Sequence, residues 1–171
     1  MSITTNQFTT NQPATEQQAV DQVDVRGPRF AAWITTAVLI AALLASAVST
    51  TAAAAILGAQ AVVFAIGALR GPRRHPYGQI FAKFVAPRLS ATTEREPAAP
   101  LRFAQAVGLL FAVVGFVGFL VGAPLVGVIA TAFALGAAFL NAAFGICLGC
   151  QIYPLVARLR RDQSPASPAA A

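Results

Sequence analysis

Residues 30 to 69 read FAAWITTAVLIAALLASAVSTTAAAAILGAQAVVFAIGAL and contain no charged side chain. A helix needs about 20 apolar residues to cross the hydrocarbon core of a bilayer, so this stretch is long enough for two helices. Ser49, Thr50 and Thr51 interrupt it near the middle with residues typical of a turn. We therefore predict a helical hairpin with membrane spans over about residues 30–48 and 52–69.

A second charge-free tract covers residues 103–157. Gly122, Ala123 and Pro124 divide it, and proline fits the first turn of a helix better than a helix interior. The predicted spans are about residues 103–121 and 125–146. Over the whole chain 57% of residues are hydrophobic and only 11% are charged, which is far from the usual globular balance. The predicted fold class is an all-α membrane protein with four transmembrane helices in two hairpins.

A short amphipathic helix is predicted between the hairpins, over about residues 76–86. Pro76 suits the first position of this helix and Pro87 ends it. Its apolar residues recur at the spacing of one helical face, which is typical of a helix that lies in the membrane interface. These residues are Tyr77, Ile80, Phe81, Phe84 and Val85.

The two ends of the chain are polar or low in complexity. Residues 1–24 are rich in Thr, Gln, Asn and Ser, and we expect disordered tails over residues 1–24 and 162–171. The membrane domain is then residues 25–161. Its first apolar segment is longer than the apolar core of a typical signal peptide, so we expect it to be retained as a membrane helix.

All 12 Lys and Arg residues lie outside the two charge-free tracts, within residues 1–29, 70–102 and 158–171. In a protein with two hairpins these three stretches share one side of the membrane, and the turns on the opposite side carry no charge. The positive-inside rule therefore predicts that both termini and the connection between the hairpins are cytoplasmic. The net charge of +6 indicates contact with anionic membrane lipids and not with nucleic acid, for which no binding motif is present.

The only two cysteines, Cys147 and Cys150, lie in the segment GICLGCQIYP, residues 145–154. In a continuous helix both sulfurs would share one face and could form a transient disulfide or bind a soft metal. The negative C-terminal end of such a helix disfavours a thiolate, whereas a break at Gly145 and Gly149 would let a new helix begin near Cys150 and favour it. As an alternative, both cysteines are small hydrophobic residues that fill gaps. A lasting structural disulfide is not expected in the reducing cytoplasm.

His75 is the natural partner of the cysteines, because it follows the second span on the same side of the membrane. Alternatively, it is only the residue that precedes Pro76 at the start of the predicted amphipathic helix. Together with Cys147 and Cys150 it provides three metal ligands, short of the four of a closed zinc site. A soft-metal site would therefore need two chains, and we predict no metal and no cofactor.

The remaining polar residues of the spans are Gln60, Gln105 and Asn141, and we expect them to join helices by hydrogen bonds. Without a charged residue in any span, an ion-coupled transporter is not indicated. Small residues on the third span, Gly115, Gly118 and Gly122, favour close helix packing within one chain or between the chains of a homo-oligomer.

Four segments together follow a family pattern: VDVRGPRFAA (23–32), HPYGQIF (75–81), EPAAPLRFAQAVGLLF (96–111) and AAFLNAAFGICLGCQIYP (137–154). They resemble the bacterial, mainly actinobacterial, membrane family called domain of unknown function 4395, over residues 21–161. The resemblance implies a small multi-pass protein of the bacterial inner membrane. It also implies that the family's cysteine pair corresponds to Cys147 and Cys150, that its histidine corresponds to His75, and that thioredoxin-like or sulfurtransferase proteins are candidate partners.

Two functions from different classes follow. In the first, cytoplasm-facing Cys147 and Cys150, assisted by His75, exchange electrons or sulfane sulfur with a soluble thiol partner. In the second, the protein is a non-catalytic membrane scaffold or assembly subunit whose cysteines only pack. Hydrolase or kinase chemistry is not indicated, because no Ser/His/Asp arrangement, phosphate-binding glycine loop or paired carboxylates are present. Whether the protein is an enzyme stays open at this point.

Overall fold

A computed structural model describes residues 22–90 and 94–162. Four helices in it are long and apolar enough to cross a membrane, which confirms the predicted all-α membrane fold. In chain order the elements are strand β1 Gln22–Asp24, helices α1 Arg26–Ser46 and α2 Thr50–Arg70, a 3-10 turn Pro72–Arg74, helix α3 Pro76–Ile80, a π-helical turn Phe81–Val85, a 3-10 turn Ala86–Arg88, strand β2 Arg95–Pro97, and helices α4 Ala98–Leu120, α5 Pro124–Phe144 and α6 Leu148–Asp162.

The four long helices form a ring in which each helix packs against two others. Helix α1 contacts α2 and α5, and helix α4 contacts the same two helices from the other side. The tightest core lies in the half of the bundle that holds the two hairpin turns, where Leu39 and Leu57 are fully buried beside Phe119. Alanines fill most of the remaining core positions, so the helix axes come close together.

Each hairpin turn has a clear local cause. In the first hairpin, the Ser49 hydroxyl accepts a hydrogen bond from the backbone N–H of Ala52 and caps α2. In the second, Gly122 adopts φ +77°, which favours glycine, and Pro124 occupies the first turn of α5. A Cβ on Gly118 would lie 2.8 Å from the backbone nitrogen of Gly127, so the predicted glycine contact is made within the chain, between α4 and α5.

A two-stranded antiparallel ribbon ties the starts of α1 and α4 together at the charged end of the bundle. Val23 of β1 pairs with Glu96 of β2. The ribbon was not predicted, and residues 22–24 had been assigned to the disordered tail. Strands of three residues are too short to show a hydrophobic pattern, and these pair because the bundle brings the two helix starts together. The rest of the predicted tails, residues 1–21 and 163–171, lies outside the described residues.

The connection between the hairpins is less regular than the single amphipathic helix that is predicted for it, and part of it is buried in the bundle. Its helical turns change from α to π to 3-10 between Pro76 and Arg88. His75 and Phe81 are buried in the bundle, whereas Ile80 and Phe84 of the same predicted apolar face are exposed. The connection therefore inserts one side into the protein and turns the other side outward.

The fourth span ends at Phe144, two residues before the predicted boundary, and a new helix follows. Gly145 adopts the left-handed conformation with φ +70°, and its N–H donates to the carbonyl of Asn141. Of the two local geometries considered for the cysteines, the structure has the break in the helix. Helix α6 leaves an apolar face exposed, formed by Leu148, Ile152, Leu155 and Leu159.

Candidate functional site

The cysteine pair lies at the N-terminus of α6. Cys147 is the residue that caps this helix, and its Sγ accepts a hydrogen bond of 3.3 Å from the backbone N–H of Cys150. The two cysteines lie within disulfide distance of each other, with Cα atoms 5.2 Å apart, which is in the range that such a bond allows. Unpaired N–H groups and the helix dipole at this position stabilise negative charge on sulfur, so the reduced pair can hold Cys147 as a thiolate.

Two glycines, Gly145 before Cys147 and Gly149 after it, allow the cysteines to lie at the start of α6. Gly145 makes the left-handed turn that ends α5 and lets α6 start in a new direction. A Cβ on Gly149 would lie 2.6 Å from the Cα of Ala104, so the glycine between the cysteines is where α6 touches the backbone of α4. One helical turn later the ring of Tyr153 packs against Phe103, with ring centroids 6.0 Å apart.

A cation lies beside the turn that leads to the cysteines. The guanidinium carbon of Arg29 is 3.8 Å from the position of a Cβ on Gly145. Arg29 also interacts with Glu96 of the ribbon, where burial raises the pKa of the carboxyl and the arginine acts in the opposite direction. The arginine thus places a positive charge beside the turn that precedes Cys147.

Cys147 lines a cavity of about 260 Å³ between α1, α4, α5 and α6, which we call the cysteine cavity. Its wall is mainly apolar, with Phe64, Phe111 and Phe133 among its larger side chains. Thr35, Gln105 and Asn141 are its polar side chains. Cys150 is half-buried and lies outside this lining, so the two sulfurs have different surroundings.

His75 is the N-cap residue of α3, as the alternative interpretation expected, and its side chain lies inside the bundle with only 3% of its surface exposed. Neither ring nitrogen finds a hydrogen-bond partner among the described residues. A Cβ on Gly67 would lie 2.6 Å from the imidazole Cδ2 and 3.0 Å from the amide oxygen of Gln105, which shows how closely α2 packs over both side chains. Burial lowers the pKa of His75 to about 4, and the neighbouring Gln105 amide acts weakly in the opposite direction. The imidazole is therefore neutral at pH 7, with one donor and one acceptor nitrogen.

A second cavity, of about 340 Å³, is lined by His75 and Gln105, and we call it the histidine cavity. The two cavities adjoin, because four residues line both: Pro28, Ala31, Leu101 and Gln105. His75 and the cysteines are thus not in one cluster, because His75 and Cys147 line two neighbouring cavities that share part of their walls. Among the described residues no group of three His, Cys, Asp or Glu side chains is placed to hold a metal ion.

The polar residues assigned to helix contacts have different roles in the structure. Gln60 accepts a hydrogen bond of 2.9 Å from the hydroxyl of Tyr77, so it holds the connecting segment and not a second span. Asn141 and Gln105 line the cysteine cavity. No motif in the sequence connects Gln105 with the site. The only available signal was its place near the charged end of a span, and that signal does not separate a packing glutamine from a binding one.

The comparison with protein families gives one match, to the family described as "Domain of unknown function (DUF4395)", over residues 23–158. The chain belongs to this family. No curated protein and no solved structure matches it. The match covers the cysteine pair and every residue that lines the two cavities except Gln22.

Proposed function

We propose that the protein is a multi-pass membrane thiol–disulfide oxidoreductase in which Cys147 and Cys150 alternate between a disulfide and a dithiol. The proposal rests on the position of Cys147, which caps helix α6 with its sulfur and lines a cavity between the helices. A cysteine pair that only filled space would need neither the capping contact nor the open volume beside it.

We place the cysteine pair on the cytoplasmic side of the bacterial inner membrane. The charged ends of all four spans lie at the end of the bundle that carries α6, and the turns at the opposite end are uncharged. The positive-inside rule supports this orientation. The partner is then a soluble cytoplasmic dithiol protein, of the thioredoxin-like or sulfurtransferase kind.

The different surroundings of Cys147 and Cys150 suggest which sulfur the partner attacks first and which sulfur leaves. A partner thiolate attacks Sγ of Cys150, the bond between Cys150 and Cys147 breaks, and Cys147 leaves as a thiolate because the helix N-terminus stabilises it. A second partner thiol then attacks the mixed disulfide and releases Cys150 as a thiol. Two electrons pass from the partner dithiol to this chain, and the partner becomes a disulfide.

The test uses the full chain in lipid nanodiscs, with dithiothreitol as the reductant. We expect the protein to gain two alkylatable thiols in a single two-electron step. The alkylation of Cys147 by iodoacetamide should also depend less on pH than that of Cys150, since Cys147 is held as a thiolate. Single Cys147→Ser and Cys150→Ser variants separate the two sites, and mass spectrometry distinguishes a persulfide on either cysteine from a disulfide. Two thiols that never form a disulfide and react alike at every pH would contradict the proposal and favour the scaffold function.

A further inference from the structure

The strongest unexplained feature of the protein is the set of buried polar atoms that have no partner. Both ring nitrogens of His75 and the amide oxygen of Gln105 are buried without a well-formed hydrogen bond among the described residues, although the two side chains lie close enough to interact with each other. A buried polar group that lacks a hydrogen bond is destabilising, and such groups inside membrane bundles usually serve binding or transport. These atoms line the two adjoining cavities, so they are placed to receive a ligand.

The cavities define the size and polarity of that ligand. The histidine cavity alone, at about 340 Å³, reaches the range of about 300 to 1,000 Å³ that is typical of small-molecule sites. The cysteine cavity adjoins the histidine cavity and is lined by Cys147. The ligand must be mainly apolar, because most residues around the space are Ala, Leu, Phe, Pro or Gly.

Charge complementarity points to an uncharged ligand with oxygen acceptors. The burial of His75 keeps its imidazole neutral, so it offers one N–H donor and no positive charge. Two charged residues line the histidine cavity, and both are already engaged: Asp24 accepts the backbone N–H of Arg26, and Arg73 donates to the carbonyl of Gln22. An anion would lose its hydration here and would meet the Asp24 carboxylate as well as the Arg73 guanidinium, so the lining offers it no net positive charge.

We propose that the joined cavities bind a membrane quinone, which accepts two electrons from the Cys147 and Cys150 dithiol. This inference rests on the proposed thiol function and names its second substrate. A quinone ring is flat, apolar and uncharged, it carries two carbonyl acceptors, and it reaches the site from the lipid. In this arrangement His75 donates to one carbonyl oxygen, while Gln105, which lines both cavities, holds the ring between His75 and Cys147.

The reaction balances with the groups that are present. Cys147 as thiolate, Cys150 as thiol, one proton from solvent and one quinone give one disulfide and one quinol. The S–S bond forms, the Cys150 S–H bond breaks, and two electrons and two protons end on the quinone oxygens. Negative charge that develops on the quinone oxygen strengthens its hydrogen bond to the His75 N–H. The Gln105 amide oxygen then accepts the hydroxyl of the quinol, so both residues act by positioning the ring.

The experiment measures the two half-reactions separately in nanodiscs. The full chain is reduced with dithiothreitol, freed of reductant without oxygen, and mixed with decylubiquinone. We expect one quinol for every two thiols lost. Gln105→Met, which keeps the volume and removes the amide, should slow oxidation by the quinone at least tenfold and change reduction by dithiothreitol less than twofold.

Thr36→Val is the control, because Thr36 is also a buried polar residue, bonds only to the backbone carbonyl of Ala32 in its own helix and lines neither cavity. It should leave the quinone rate unchanged. A reduced protein that passes no electrons to decylubiquinone would overturn the quinone inference and leave the thiol function standing. A disulfide that dithiothreitol cannot reduce would overturn the thiol function itself.

Binding is tested independently of the cysteine chemistry in a Cys147→Ser, Cys150→Ser double variant. A photoreactive azidoquinone should label peptides that contain Ala31 and Leu101 to Gln105, and excess decylubiquinone should remove that label. Labelling confined to the lipid-facing surface, where exposed Val117 and Leu120 lie outside both cavities, would overturn the site.

Discussion

Gly149 stands between the two cysteines, at the closest approach of α6 to α4. A Cβ at this position would lie 2.6 Å from the Cα of Ala104, and a backbone atom cannot move aside as a flexible side chain can. The motif therefore needs a glycine for a steric reason that is separate from the chemistry of the sulfurs. The position of Cys147 over its cavity depends on this contact.

Replacing Gly149 by alanine tests this contact. We expect Gly149→Ala to lower the free energy of unfolding by roughly 1–3 kcal/mol, as overpacking does, and to make the cysteines more accessible to alkylation. Gly136→Ala is the control, since nothing lies within 4 Å of its Cβ position. Unfolding in detergent followed by Trp33 fluorescence compares the two variants, and equal stability in both would contradict the predicted contact.

His75 makes the stability of the protein depend on pH. Burial lowers its pKa from 6.5 to about 4, so between these values the unfolded chain binds a proton that the folded chain does not. Stability therefore falls as the pH decreases from about 6.5 to about 4, by up to roughly 3 kcal/mol.

The variant His75→Gln isolates this effect, because glutamine does not titrate. Unfolding midpoints measured between about pH 7 and pH 4 should decrease more steeply in the natural protein than in the variant. Parallel pH profiles would show that the imidazole takes up its proton in the folded state as readily as in the unfolded chain.

Among the secondary-structure elements, the α4–α5 hairpin depends most clearly on glycine, because the glycines of α4 allow α5 to pack closely against it. Gly118 meets the backbone of Gly127, and Gly115 lies against Leu57 and Thr131. Both contacts lie within one chain. This packing fixes α5 close to α4 and so determines where the turn at Gly145 and the start of α6 can lie.

We therefore expect Gly118→Ala to destabilise the monomer by roughly 1–3 kcal/mol and to leave the oligomeric state unchanged. Unfolding in detergent gives the first quantity and light scattering with size exclusion gives the second, with Gly136→Ala again as the control. A loss of oligomer without a loss of monomer stability would assign the glycines to an interface between chains.

Across the whole molecule, one end of the bundle is tightly packed and the other end contains the two cavities. Alanine and leucine fill the half near the turns, and both cavities lie towards the half that carries the ribbon, the connecting segment and α6. The cavities therefore lie at the same end of the bundle as the charged residues that flank the spans. The orientation in the membrane therefore determines which compartment the site serves.

Single cysteines in the Cys147→Ser, Cys150→Ser background test that orientation. Val48, which is 91% exposed at the turn between α1 and α2, should react as Val48→Cys with a membrane-impermeant maleimide added to intact cells. Ser90→Cys, exposed in the connection at the charged end, should react only after the membrane is made permeable. The reverse pattern would place the cysteine pair outside the cytoplasm and exclude the proposed partners.

The number of spans, their pairing into hairpins and the segregation of charge could all be predicted from the amino-acid sequence. Lipid imposes this, because about 20 uncharged apolar residues in succession can satisfy their backbone hydrogen bonds in a membrane only as a helix. The cysteine spacing and His75 also stood out, because few polar or reactive residues interrupt an apolar chain.

The arrangement of Cys147, His75 and Gln105 depends on contacts between helices and could not be predicted from the sequence. Whether Cys147 ends one helix or starts the next depended on the left-handed turn at Gly145 and on the close approach of α6 to α4. The burial of His75 and the role of Gln105 depended on the cavities that adjoin between four helices. Such contacts join residues far apart in the chain, and local pattern carries no information about the distances between them.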